Sequence, residues 1–93
     1  MPSHDVDRPT LRAAVAAELR AALARAQISQ GELADRVGIH RATVNRLMQG
    51  GRALEVEVLY EFADALDFDP GELLDTAKRN YLQKVASRDA EGD

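Results

Sequence analysis

The amino-acid sequence predicts an all-α protein, a compact domain of five helices in which the last helix is extended. Its composition is rich in alanine, leucine and arginine, which favour helix. Apolar side chains recur at three- and four-residue steps, the spacing of a helix, and no strand pattern is evident. Capping residues and glycines mark where successive helices begin and end. A chain of 93 residues suffices for one domain with a small core.

The first helix is predicted from Pro9 or Thr10 to Ala26, because proline suits the first position of a helix. The preceding residues 1–8 have no hydrophobic period and are expected to form a mobile N-terminal arm. Leucine and valine at four-residue steps supply the inward stripe of this helix: Leu11, Val15, Leu19 and Leu23.

Residues 29–50 predict two short helices joined by a tight turn. Ser29 and Glu32 have the spacing of a capping box, and Gly38 is placed to end the second helix in a left-handed conformation. The third helix then begins at once, with His40 at its cap position, where histidine is a poor capping residue. Apolar residues of both helices form their shared inward face: Leu33, Ala34, Val37, Ile39, Val44 and Leu47.

The outward face of the third helix carries the functional interpretation. A short helix with an apolar back and an Arg/Asn front, braced by another helix, is suited to lying in the major groove of DNA. Four side chains fall on that front by the helical period of about 3.6 residues: Arg41, Ala42, Asn45 and Arg46.

Paired glycines at positions 50 and 51 end the third helix and allow a positive φ and a close backbone approach. The loop continues through Arg52, which is expected to meet a DNA phosphate. The fourth helix is predicted from Val56 to Leu66. Its expected buried face consists of Val58, Leu59, Phe62, Ala63 and Leu66.

The fifth helix has the clearest start, because Asp69 is a good cap and Glu72 completes a capping box. Helix-forming sequence continues from there, so the domain is predicted to span residues 9–86, followed by a disordered acidic tail at residues 87–93. The apolar stripe along this helix must pack on the first helix or on a second chain. Dimer contact is predicted through Leu74, Tyr81, Leu82 and Val85.

Charge is distributed unevenly along the chain. The net charge is −4, yet residues 1–53 carry eight arginines against five carboxylates, and residues 54–93 carry four basic side chains against eleven carboxylates. The basic half coincides with the two short helices, as expected for a polyanion partner. With no cysteine and no metal-ligand spacing, we expect neither catalysis nor a metal or cofactor. We also expect no membrane span or signal peptide, and a cytoplasmic location.

An ordered set of short motifs runs from about Leu19 to Leu74. In order, the motifs are Ile28-Ser-Gln30, Leu33-Ala34, Val37-Gly38-Ile39, Thr43-Val44, Arg46-Leu47, Gly50, Leu59, Ala63, Ala65-Leu66 and Asp69-Pro-Gly-Glu-Leu-Leu74. Together they resemble the lambda-repressor-like helix-turn-helix family, which includes Cro, phage repressors and xenobiotic-response-element regulators. The resemblance makes the second and third helices the helix-turn-helix. Three residues depart from the family pattern: His40, Met48 and Asp67.

The resemblance implies sequence-specific binding of double-stranded DNA, with the third helix in the major groove. Arg41 is the leading base reader, since its guanidinium can make a bidentate contact to guanine, and Ala42 can touch a thymine methyl. Gln30 resembles a family glutamine that holds a phosphate. The full set of predicted DNA contacts is Gln30, His40, Arg41, Ala42, Thr43, Asn45, Arg46 and Arg52.

Three functions remain open from the sequence. The first is a small transcriptional regulator, such as a phage or bacterial repressor or Cro-like protein, which binds a palindromic operator as a homodimer. The second is an antitoxin of the same fold, whose acidic half masks a basic toxin. The third is a protein-interaction module that has kept the fold and lost DNA binding.

Overall fold

The computed structural model describes residues 5–91, which form five helices and contain no strand. The predicted all-α, five-helix fold is therefore confirmed. The helices, in chain order, are α1 (Arg8–Ala26), α2 (Gln30–Val37), α3 (Arg41–Met48), α4 (Val56–Leu66) and α5 (Pro70–Glu91). The helices α2 and α3 form the predicted helix-turn-helix, and the long α5 packs antiparallel against α1.

Helix α1 begins one residue earlier than predicted. The side chain of Asp7 accepts a hydrogen bond from the Thr10 amide at 3.1 Å, so Asp7 caps the helix and Arg8 is its first residue. Both residues belong to this helix start, although they fall in the predicted mobile arm 1–8. Residues 1–4 of that arm lie outside the described residues.

Helix α5 continues to Glu91, five residues beyond its predicted end. The prediction of a disordered tail is therefore wrong for residues 87–91, and residues 92 and 93 lie outside the described part. Tertiary contacts explain the difference, because Arg88 donates to Asp7 Oδ2 at 2.6 Å and to Thr10 Oγ1 at 3.2 Å. The acidic composition of the tail gave no sign of this partner at the start of α1.

Asp7 links the start of α1 to the C-terminal part of α5. Its amide donates to the hydroxyl of Tyr81 at 3.0 Å, while its carboxylate accepts from Arg88. The Arg88 hydrogen bond, followed by that of the Thr10 amide, holds the pKa of the Asp7 carboxyl below its ordinary value. The apolar stripe of α5 thus packs on α1 near Tyr81, one of the two arrangements that the sequence left open.

The core lies where α1, α4 and α5 close over the helix-turn-helix. Of the predicted α1 stripe only Leu19 is fully buried, and Ala16 and Ala22 supply the other buried positions of that helix. Small residues there allow neighbouring helices to approach closely, which a pattern of large apolar residues does not reveal. The largest fully buried side chains are Phe62, Leu19, Leu33, Met48 and Val44.

Gly50 provides the close approach that the paired glycines predicted. Its φ is +74°, and a Cβ added there would lie 3.2 Å from Ala13 Cα and 3.3 Å from Ala13 N. Gly51 does not have a positive φ. The loop after α3 is therefore held directly against the backbone of α1 at a position that only glycine fits.

Candidate nucleic-acid interface

Helix α2 is capped at its start by Ser29 and ends at Gly38, as predicted. The Ser29 hydroxyl accepts from the Glu32 amide at 3.0 Å. Gly38 has a φ of +79°, and its amide donates to the Ala34 carbonyl at 2.8 Å. The Glu32 side chain does not complete a capping box, because its carboxylate pairs with Arg36 at 2.8 Å.

Helix α3 begins without a side-chain cap. His40 has an extended backbone and is exposed, and its ring makes no capping hydrogen bond. Its carbonyl accepts from the amides of Thr43 and Val44 at 3.0 and 3.2 Å. The first turn of α3 is therefore held by backbone bonds alone, as the poor capping ability of histidine predicted.

The two sides of α3 differ as the helical period predicted. Val44, Leu47 and Met48 are buried in the core. Thr43 is half-buried between the two sides. The outward side chains are all exposed and form a continuous surface, which we call the α3 front: His40, Arg41, Ala42, Asn45 and Arg46.

Gln30, the first residue of α2, is linked to this front. Its Oε1 accepts a hydrogen bond from Asn45 Nδ2 at 3.2 Å. Arg41 also lies against the start of α2, since a Cβ added to Gly31 would be 3.5 Å from Arg41 Nη1. Gln30, Arg41 and Asn45 therefore share one surface, although they come from two helices.

Arg52 is exposed in the loop that follows α3. The loop leaves the helix tightly, because the amides of Gly50 and Gly51 donate to the carbonyls of Leu47 and Arg46 at 3.2 and 2.9 Å. The side chain of Arg52 lines an apolar groove beside α1. Its predicted contact with a phosphate stays a prediction, as do the contacts assigned to the α3 front and to Gln30.

Two arginines outside the predicted set brace the helix-turn-helix. Arg20 on α1 donates to the Met48 carbonyl and so caps the last turn of α3. Arg36, besides its ion pair with Glu32, donates to the Ala65 carbonyl of α4 at 3.5 Å. The sequence contains no signal for the Arg20 contact, because it joins residues far apart in the chain.

The four predicted dimer residues fall into two pairs. Tyr81 and Val85 are half-buried, and the Tyr81 hydroxyl is engaged by Asp7 of the same chain. Leu74 and Leu82 are 43% and 52% exposed. The structure thus leaves these two leucines uncovered and directs Tyr81 toward α1, and the dimer contact itself stays a prediction.

Residues 5–91 contain neither a metal-ligand cluster nor a membrane-spanning helix. No group of three or more His, Cys, Asp or Glu side chains in that range is placed to hold a metal ion. None of the helices there combines the length and apolar character needed to cross a membrane.

Comparison with known proteins agrees with this geometry. Two crystal structures of the clp gene regulator ClgR from Corynebacterium glutamicum resemble the fold. One superposes with a TM-score of 0.77 at 25% identity and covers 87% of this chain and 86% of the ClgR chain. The other has a TM-score of 0.69 at 26% identity and covers 73% and 87%, respectively. No curated protein sequence matches the chain.

A sequence-family comparison covers the same part of the chain as the resemblance read from the motifs. The model of the Cro/C1-type HTH DNA-binding domain matches residues 18–78, well over half of the chain. These residues include α2, α3 and α4, the C-terminal part of α1 and the first turns of α5. The chain belongs to the Cro/C1-type helix-turn-helix DNA-binding domain family.

Proposed function

We propose that the protein is a sequence-specific transcriptional regulator, a repressor or Cro-like protein, that reads double-stranded DNA with α3 in the major groove. The observation that carries this proposal is the α3 front, an exposed polar surface on a helix whose opposite side is buried. The similarity of the whole fold to the clp gene regulator ClgR supports a regulatory role. The width of the major groove suits a single helix presented in this way.

The side chains of the α3 front contact the edges of the bases. Arg41 donates two hydrogen bonds to O6 and N7 of a guanine, a contact worth about 1–3 kcal/mol of discrimination. Ala42 is exposed beside it and contacts a thymine methyl group. Asn45 and Arg46 extend the surface one turn further, and the half-buried Thr43 contacts a phosphate or supports the helix.

Phosphate contacts surround this surface. The Oε1 of Gln30 accepts from Asn45, so the amide group of Gln30 keeps its own N–H donors for a phosphate at the start of α2. The same bond limits the rotation of Asn45 and lowers the entropy lost when Asn45 contacts a base. His40 and Arg52 supply further contacts on either side of α3.

A single domain of this size reads only a few base pairs, so we propose a homodimer on a palindromic site. The half-site centres then lie about 34–36 Å apart, one helical turn of DNA. The exposed side of α5 supports this assembly, with Leu82 at its centre and Val85 beside it. Leu74 lies two turns earlier on the same helix, and Tyr81 takes part mainly by holding α5 on α1.

Selection of bound sites from random DNA tests the proposal directly. We expect a two-fold symmetric site, and binding that weakens steeply as salt rises, because phosphate contacts release counterions. Arg41→Ala should remove the preference for the selected site and leave non-specific binding intact. The matched control is Arg25→Ala, a change of an exposed arginine at the far end of α1. It should alter neither the preference for the selected site nor non-specific binding.

Three results would contradict this assignment. Absence of any enriched site would reject sequence-specific binding. Equal loss on selected and random DNA in Arg41→Ala would make Arg41 a phosphate contact. A Leu82→Asp variant whose sedimentation coefficient and DNA stoichiometry are unchanged would remove the α5 surface from the dimer.

A second function is supported by the outer face of α4. Glu57, Glu61 and Asp64 are all exposed there, beside Tyr60, which is 61% exposed. An acidic face with an aromatic residue suits a basic protein partner, as an antitoxin would require. A basic protein encoded beside this one, whose binding is lost in Glu61→Lys and retained in Arg41→Ala, would favour this function. Absence of salt-dependent DNA binding would instead favour a pure interaction module.

A further inference from the structure

An apolar groove of about 390 Å³ runs along α1. One wall is a single face of α1, including Leu11 and Val15, which are only half-buried. The other wall is formed by residues within the segment from Arg52 to Leu59, and Leu74 of α5 also lines the groove. Val56 is 67% exposed on this wall, so its side chain is accessible to a partner.

The dimensions of the groove suit a helix. Its α1 wall extends from Arg8 to Leu19, a rise of about 16 Å at 1.5 Å per residue, or three helical turns. An amphipathic helix of that length presents two or three large apolar side chains on one face. The groove therefore has the length and the apolar lining to hold a short helical segment.

The charges around the groove specify what kind of segment fits. Arg8 and Arg12 lie one turn apart on α1, and Arg52 lies on the opposite wall. No carboxylate lines the groove, and within residues 5–91 none of the three guanidinium groups has a hydrogen bond or an ion pair. Three unpaired guanidinium groups beside an apolar floor favour a partner that carries carboxylates next to its apolar side chains.

A second copy of the chain fits this groove poorly. A two-fold contact would place the rim arginines of both copies at one interface, and the groove supplies no carboxylate to either set. Like charges brought together at an interface oppose association. Leu82 lies outside the groove lining and remains available for the dimer, whereas Leu74 lines the groove and would be covered by its occupant.

We propose that this groove binds an acidic amphipathic helix of another protein. The apolar side of that helix lies on Leu11, Val15 and Val56, and its carboxylates pair with the rim arginines. Arg52 is also a proposed phosphate contact, so the acidic helix and DNA compete for one side chain. The groove does not depend on the DNA-binding proposal, because Arg8 and Arg12 are not among the proposed DNA contacts.

A displayed library of helix-forming peptides of about 14 residues tests the proposal, since such a peptide is long enough to span the groove. Apolar residues are fixed at helical spacing, and each flanking position varies among Asp, Glu, Lys, Arg, Ser and Gln. Selection on the full chain should enrich Asp and Glu at the flanking positions. The most enriched peptide is then synthesised, labelled and titrated by fluorescence anisotropy.

Two pairs of variants assign the binding to the groove. Arg8→Glu combined with Arg12→Glu should weaken the peptide by at least about tenfold, which corresponds to about 1.4 kcal/mol. Arg25→Glu is the matched control on the same helix. Val56→Asp should also weaken binding at least tenfold, whereas Tyr60→Asp, one turn along α4 and outside the groove, should not.

Each remaining outcome overturns the proposal. Enrichment of no peptide, or of peptides without acidic preference, would show that the groove does not select such a helix. If the Arg8 and Arg12 changes weaken DNA binding and spare the peptide, these arginines belong to the DNA interface. If no peptide is enriched and Val56→Asp converts a dimer into a monomer, a second copy occupies the groove.

Discussion

Replacing Gly50 by alanine should destabilise the domain by about 2–5 kcal/mol. Alanine in a left-handed conformation costs roughly 1–2 kcal/mol, and the φ of Gly50 is +74°. The new Cβ would also lie 3.2 Å from Ala13 Cα, a backbone atom that cannot rotate away. Overpacking of this kind adds about 1–3 kcal/mol, so the loop or α1 must shift.

Gly38→Ala separates the cost of the left-handed backbone conformation from the cost of the Cβ contact. Gly38 has a φ of +79°, but a Cβ added there would meet no atom within 4 Å. We therefore expect this variant to lose only the conformational part, roughly 1–2 kcal/mol. The difference between the variants measures the contact between the loop after α3 and the backbone of α1.

Urea and thermal unfolding followed by circular dichroism give both values. For a domain of this size, each kcal/mol lowers the midpoint temperature by roughly 4–8 °C. The slope of unfolding free energy against urea should remain that of the parent, because the unfolded surface is the same. The proposed contact would be refuted if both variants lost the same free energy to within about 0.5 kcal/mol, the usual limit for additivity of independent sites.

Three further predictions follow from other contacts. Phe62→Ala should cost about 3–5 kcal/mol in chemical unfolding, because Phe62 is fully buried, while the exposed Tyr60→Ala on the same helix should stay within about 0.5 kcal/mol. Arg20→Met should lower stability by about 1 kcal/mol and increase amide exchange in the last turn of α3. The pKa of the Asp7 carboxyl is lowered in the folded protein, so its stabilising contribution is complete above its ordinary pKa of 3.8 and is lost as the pH falls through the folded-state pKa. An acid titration of the α1–α5 contact, followed by NMR, should show this loss, and Asp7→Asn should abolish it.

The proposed interface depends on contacts that hold α3 from both ends. Its start has no side-chain cap, so its position depends on the turn at Gly38 and on the buried Val44 and Leu47. Its last turn is held by Arg20 from α1. Because a recognition helix must present its base-reading side chains within narrow limits of position, we expect changes at Arg20 to affect DNA specificity without any direct contact.

Local sequence patterns were sufficient for the helices and for the exposed face of α3. Capping at Ser29 and Asp69 and the left-handed end at Gly38 depend on groups within a few residues, so they can be recognised from spacing. The same holds for the alternation between Val44 and Asn45, since a helix with one apolar side has only one way to face a core. The family follows from an ordered set of such local features.

The sequence by itself determined the all-α class, the five helices, the helix-turn-helix and the side of α3 that faces outward. Only the tertiary structure decided where α5 ends and what its stripe covers, because Arg88 and Asp7 are far apart in the chain and meet only after α5 packs on α1. The same reason explains the brace from Arg20, the burial of Ala16 in place of Leu11, and the groove edged by Arg8, Arg12 and Arg52. Local propensities act over one or two helical turns, whereas these features depend on how whole helices are placed against one another.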